Sequence, residues 1–153
     1  MTKFLLAVHV LAAIVAIGPV TVAASMFPPA ARRALAEPGD PRAAEALGVL
    51  YRICRVYGVV GVVVPAFGFA TASGMGVLGS AWLIVSIVLT ALAAVVLAAL
   101  VLPRQSALVD GLADGGGTRE ATARLAMFTG LFNLLWAAVT VLMIVRPGST
   151  TGA

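Results

Sequence analysis

The sequence predicts an all-α membrane protein, a bundle of four transmembrane helices with both termini outside the cell and loops 1 and 3 in the cytoplasm. Hydrophobic residues make up 61% of its 153 residues and charged residues only 10%. A soluble domain contains about 25% charged residues, so most of this surface is expected to face lipid. The apolar residues form long uncharged stretches, and the basic residues gather on one side of them.

The uncharged stretches define the spans, since crossing the hydrocarbon core takes about 20 residues. Residues 4–31 and 125–145 each suit one helix. The stretch between residues 56 and 103 contains 48 residues and must fold back once, at the Gly- and Ser-rich segment 73–80. The predicted spans are about 4–27, 52–72, 80–102 and 124–145.

Prolines are expected to end or bend these helices. Pro28-Pro29 and Pro103 mark the places where the first and third spans should reach water. Pro65 should kink the second span, because it cannot donate a hydrogen bond to Gly61.

Capping residues predict how the helices start and stop in the two charged loops. Asp40-Pro41 indicates the start of the second helix, Ala113 the end of the third and Thr118 the cap of the fourth. The pair Glu120 and Arg124 has the favourable i,i+4 order. The membrane domain is predicted to cover residues 1–147. The glycines at 115–117 should break the third helix, and residues 148–153 should form a disordered tail.

Basic residues set the expected orientation, since loops rich in Lys and Arg stay in the cytoplasm. Segments 32–55 and 104–124 contain eight of the ten basic residues, against Lys3 and Arg146 on the opposite side. This imbalance predicts a multi-pass protein of the plasma (inner) membrane, with both termini outside.

His9 is the most informative candidate residue, because an ionisable group inside a span usually faces the bundle interior or a cavity. It is the only histidine and lies about one and a half turns below the outer surface. Met143 and Met75 are predicted at the same depth. These residues suggest an axial ligand of haem b or a copper site, since imidazole binds both and thioethers suit Cu(I). The alternative is a histidine hydrogen-bonded to a neighbouring helix or placed near the headgroups.

Asn133 is predicted near the middle of the fourth span, where its amide needs a partner. Ser86 and Thr90 of the third span lie at a suitable depth. Such contacts favour helix association, although a polar cavity around the same three residues would suit a small-molecule permease.

Residues near the cytoplasmic surface suggest anchoring more than chemistry. Arg52, Arg55, Tyr51 and Tyr57 have the pattern of interfacial anchors and should attract anionic lipids. A second group, Cys54, Met26 and Met127, contains three soft sulfur atoms at one depth, which suits either apolar packing or a metal pathway.

Other function classes are disfavoured. Residues 74–79 match the dinucleotide motif G-x-G-x-x-G, but that motif works between a strand and a helix, so we interpret it as a hairpin turn. The net charge of +4 lies in short loops rather than in a water-facing stripe, so no nucleic-acid partner is expected. No catalytic triad or paired carboxylate is present, which argues against an enzyme.

The sequence resembles a bacterial family of small four-helix membrane proteins, domain of unknown function 2269. The resemblance rests on three segments, namely residues 6–13, 82–86 and 142–147. That family is similar in layout to copper-resistance D-type proteins and to protoporphyrinogen-oxidase-like haem proteins. The second relationship implies an axial haem role for His9. A lysine important to those haem proteins has no counterpart between Ser80 and Leu102, which argues against oxidase activity.

Three hypotheses about function follow. The first is a non-enzymatic accessory or homo-oligomeric membrane component that acts through helix packing with its own copies or a membrane-protein partner. The second is a haem b or copper protein that uses His9. The third is a small-molecule permease.

Overall fold

The computed structural model describes residues 1–113 and 118–149, and every regular element in those residues is a helix. The elements are α1 (Thr2–Ala36), α2 (Pro41–Val60), α3 (Val63–Met75), α4 (Ala81–Val95), a π-helical segment (Val96–Val101), α5 (Leu102–Ala113) and α6 (Arg119–Val145).

These helices join into four stretches that are long and apolar enough to cross a membrane: Thr2–Ala36, Pro41–Met75, Ala81–Leu112 and Arg119–Val145. The prediction of four membrane helices is therefore confirmed for the described residues. Three of the stretches exceed 30 residues, longer than the predicted spans, because each continues into the charged segments.

The first helix does not end at Pro28-Pro29, since α1 continues through both prolines to Ala36. Phe27, Pro28 and Ala31 are buried there. A proline inside a helix costs about 3 kcal/mol or more through its lost hydrogen bond and steric clash. Burial of this face favours the helix in spite of that cost, and Arg32 Nε donates to the Pro28 carbonyl at 3.4 Å.

Pro65 interrupts the second span, as predicted. The helix stops at Val60 and restarts at Val63. Pro65 has no N–H to donate to the Gly61 carbonyl. That carbonyl accepts instead from the Val64 N–H at 3.1 Å. The break therefore keeps this backbone group paired inside the bilayer, where an unpaired one costs several kcal/mol.

Pro103 acts differently, because the third span continues past it to Ala113. The six residues before Leu102 widen into the π-helical segment, and the Leu102 N–H bonds to the Leu97 carbonyl. Arg104 Nη1 donates to the Leu100 carbonyl at 2.9 Å. A π-bulge of this kind is one way in which a membrane helix accommodates proline.

The predicted caps are confirmed. Asp40 accepts from the Arg42 N–H at 3.0 Å, and Thr118 Oγ1 accepts from the Ala121 N–H at 3.1 Å. Arg124 pairs with Glu120 at 2.7 Å. The predicted glycine break at 115–117 lies outside the described residues, as do residues 150–153 of the predicted tail.

The packing centres on α1, which contacts α2, α3 and α6, while α4 packs against α6. Phe27, Phe132, Leu47 and Leu125 are fully buried side chains of this core. Large apolar side chains also cover the outside, and Ile144, for example, is 74% exposed. A surface of this kind suits contact with lipid rather than with water.

Candidate functional site: a small cavity around His9

The turn between α3 and α4 brings several candidate residues together at the end of the bundle that holds both described chain ends. Gly76 adopts the left-handed conformation with φ of 68°, which a side chain rarely tolerates. The Val77 N–H reaches back to the Ala72 carbonyl at 3.2 Å, so the chain reverses within a few residues. The motif at 74–79 is thus a hairpin turn between two helices, as predicted. It brings Met75 and Trp82 to the same cavity.

His9 ties α1 to α3 beside the Pro65 break. Its Nδ1 lies 2.9 Å from the Val64 carbonyl oxygen. A carbonyl can only accept, so Nδ1 is the donor in this bond, and Nε2 is the ring nitrogen left for a ligand. The expectation of a histidine bonded to a neighbouring helix is therefore confirmed. The same bond is also the usual partner of a metal-binding histidine.

Gly68 provides the space for the His9 ring. A Cβ at this position would lie 2.8 Å from His9 Cε1 and 3.1 Å from Nδ1, closer than such atoms approach. The missing side chain therefore allows the imidazole to lie flat enough against α3 to reach Val64.

A cavity of about 30 Å³ opens beside this ring, and His9, Met75 and Met143 all line it. The three residues come from α1, α3 and α6. The structure thus brings together the residues that depth alone had placed at one level. The cavity exceeds the roughly 10–15 Å³ that one water needs, so it suits a water or a single ion.

Trp82 and Arg146 complete the cavity wall, and sequence reasoning missed both. Trp82 is only 7% exposed, and its Nε1–H has no hydrogen-bond partner. The Arg146 guanidinium lies 5.8 Å from the Trp82 ring centroid, and its Nε donates to the Met143 carbonyl at 3.1 Å. The sequence does place a tryptophan just after the tight turn and an arginine just after the last span. These two positions could have indicated that both residues lie near His9.

Haem does not fit this cavity. Sites for molecules of drug size occupy about 300–1,000 Å³, roughly ten times the space available here or more. The Gly68 backbone closes one side of the imidazole, and Val64 holds its Nδ1. The residues around His9 therefore do not form a porphyrin site within one chain.

The predicted polar group in mid-membrane is arranged differently from the expectation. Asn133 Nδ2 donates to Ser25 Oγ of α1 at 2.9 Å rather than to Ser86 or Thr90. Ser86 is fully buried and bonds to the Trp82 carbonyl of its own helix at 2.8 Å. None of the three predicted residues lines the His9 cavity.

The three soft sulfur atoms near the opposite end do not meet. Cys54 is fully buried, whereas Met26 and Met127 are 54% and 61% exposed. Gln105 Nε2 lies 3.6 Å from Cys54 Sγ, and its Oε1 has no partner. This buried glutamine, two residues after Pro103, was not among the predicted residues, because its place in the third helix indicated a water-exposed extension.

The interfacial residues lie as an anchoring role requires, although that role stays a prediction. Arg52 and Arg55 are exposed, while Tyr51 and Tyr57 are half-buried against the core. The rings pack on the bundle, and the guanidinium groups extend away from it.

An open groove of about 460 Å³ lies between α5 and α6. Its charged side chains already have partners. Arg124 pairs with Glu120, and the Arg104 guanidinium lies 4.4 Å from the Phe128 ring centroid. We therefore regard the His9 cavity as the stronger candidate site.

Comparisons with protein-family models, curated proteins and solved structures found no match. The resemblance to the domain of unknown function 2269 stays a prediction.

Substituting Gly68 tests whether the His9 contact stabilises the bundle. In Gly68→Ala the new methyl would displace the imidazole from Val64, and overpacking of this kind costs about 1–3 kcal/mol. We expect a lower midpoint of thermal unfolding in detergent. Gly74→Ala in the same helix is the matched control, since its nearest contact would be an ordinary 3.7 Å. Equal behaviour of the two variants would contradict the proposed fit.

Proposed function

We propose that this chain is a non-catalytic, multi-pass protein of the plasma membrane that binds a small ligand in the cavity around His9. One observation carries the proposal, namely that His9, Met75 and Met143 converge from three helices on one small cavity. Chemically capable side chains on separate helices meet in this way where a bundle holds a ligand.

The cavity also has unused binding capacity. Only Nδ1 of the His9 ring is hydrogen-bonded, and the Trp82 Nε1–H has no partner. Buried polar groups are usually paired, so an unpartnered donor on a residue that lines a cavity marks a place where a ligand or water completes the structure. The small volume favours a ligand of one or two heavy atoms over a metabolite.

The proposed orientation places the cavity at the outer face. Arg33, Arg42, Arg104 and Arg119 lie at the other end of their helices, and such residues stay in the cytoplasm. A ligand arriving from outside would then meet the cavity before it crossed the hydrocarbon core.

A second candidate function is self-association through the seam between α1 and α6. Ser25 is exposed on the lipid-facing surface and accepts from Asn133, whose Oδ1 has no partner. Gly130, one turn before Asn133, has open space beside it. Polar groups and small residues together are typical of interfaces between membrane helices, so a second copy of this chain is the proposed occupant.

Native mass spectrometry tests the binding function directly. The protein purified from membranes in mild detergent should carry a small bound ligand that His9→Asn loses. The asparagine amide can still donate to the Val64 carbonyl, so this variant removes Nε2 without removing the link to α3. A wild-type protein without any bound ligand, or a ligand retained equally by both proteins, would contradict the proposal.

Cysteine labelling in intact cells tests the orientation. In a Cys54→Ala background, a membrane-impermeant maleimide should label Lys3→Cys, and label Glu37→Cys only after the cells are opened. Both positions are exposed and lie at the ends of α1. The reverse labelling pattern would refute the proposed topology.

Substitution at Gly130 tests self-association. Nothing lies within 4 Å of a Cβ at this position, so Gly130→Leu should leave the monomer folded while it blocks the seam. We expect the wild type to migrate as a dimer in mild detergent and the variant as a monomer. Gly48→Leu on α2 is the control, because its Cβ also meets open space. A monomeric wild type would exclude this second function.

A further inference from the structure

We infer that the ligand of the His9 cavity is monovalent copper, bound by His9 Nε2 and the thioether sulfurs of Met75 and Met143. The inference rests on the proposed binding function and names its ligand class. It depends on three features of the cavity, which are the fixed state of the imidazole, the softness of the other ligands and the charge of the wall.

The imidazole is fixed as a metal ligand requires. Its Nδ1–H donates to the Val64 carbonyl at 2.9 Å, and Gly68 keeps the ring in that position. Histidines that bind metals usually donate their other ring N–H to a carbonyl or carboxylate in this way, which sets the tautomer and the direction of the ligand. The ligand nitrogen of His9 is therefore set before any metal arrives.

The remaining ligands are soft. Met75 and Met143 contribute neutral thioethers, which select Cu(I) over zinc and over hard cations. Within residues 1–113 and 118–149, no three His, Cys, Asp or Glu side chains gather to hold a metal ion. A site for zinc or for non-haem iron would need such a group, whereas a Cu(I) site does not.

Packing is the competing explanation for the two methionines. Met143 does lie against the cluster of Ala72, Trp82 and Leu83. Packing alone, however, does not require both sulfur-bearing side chains to border the same cavity as the only histidine of the chain. Convergence from three separate helices is what distinguishes this site from a methionine that fills a gap.

The charge of the wall favours a monovalent cation. No carboxylate is among the described residues that line the cavity, and Arg146 adds a positive charge at its edge. A divalent ion would keep its full charge among neutral ligands beside a guanidinium, which is costlier than placing a single charge there.

An anion is the alternative occupant, because Trp82 offers an unpartnered N–H and Arg146 a positive charge. The imidazole and the two methionines, whose lone pairs repel an anion, would however border it. Arg146 is moreover already engaged with the Trp82 ring and the Met143 carbonyl. The donor set therefore favours a soft cation.

The test is Cu(I) binding by the full-length protein in detergent, under anaerobic reducing conditions, in competition with the chromophoric chelator bicinchoninate. We expect one Cu(I) per chain in the wild type. His9→Asn and Met143→Leu should each weaken binding at least about 10-fold, since even changing a group that only orients a ligand costs about 10- to 100-fold. Met127→Leu is the control, because Met127 is exposed near the opposite end of the same helix.

Fluorescence locates the bound ion independently. The chain has two tryptophans, so Trp136→Phe leaves Trp82 as the only indole. Cu(I) should quench this emission with the same stoichiometry as in the competition assay. Binding that leaves Trp82 emission unchanged, or that persists in His9→Asn and Met143→Leu, would show copper held elsewhere on the protein and would overturn the inference.

The experiments distinguish an error in the Cu(I) assignment from an error in the proposed binding function. A wild type that binds no Cu(I) but carries another small ligand, lost in His9→Asn, would overturn the copper assignment and leave the binding function standing. A wild type that binds no Cu(I) and carries no ligand would refute both.

Discussion

The constraint behind this structure is that backbone carbonyl and N–H groups inside a bilayer must find partners within the protein. Prolines remove N–H donors in three of the four spans, and the backbone around Pro65 and Pro103 compensates for the lost donor in different ways. At Pro65 the helix breaks and the Gly61 carbonyl takes a bond from Val64. At Pro103 the helix widens, and the Arg104 side chain bonds to the Leu100 carbonyl. These local hydrogen bonds shape the bundle. The break at Pro65 also includes Val64, whose carbonyl oxygen contacts His9 Nδ1.

Helix number and helix caps could be predicted from the sequence because they depend on local chemistry. Asp40 and Thr118 cap as expected, since a short polar side chain beside free N–H groups has few alternatives. The effect of Pro28-Pro29 could not be predicted in the same way. Whether a proline ends a helix depends on the packing around it, and the burial of Phe27 is a tertiary property.

The candidate site could be predicted by depth but not by direction. Sequence position placed His9, Met75 and Met143 at one level, and they do meet. The same reasoning placed Cys54, Met26 and Met127 at one level, and they do not. Lipid-facing side chains are as apolar as buried ones, so hydrophobic periodicity does not tell which side of a membrane helix faces inwards. Hence the direction of each methionine, and the partner of Asn133, required the structure.

The unbroken course of α1 through its prolines has a mechanical consequence. Its 35 residues at about 1.5 Å each measure about 52 Å, whereas the hydrocarbon core is about 30 Å thick. The helix is therefore about 20 Å longer than the hydrocarbon core is thick, and its last turns pair with the start of α2 across a short turn. A partner that approached this end would contact a pair of packed helices with Arg33 and Glu45 exposed on its surface, rather than a flexible loop.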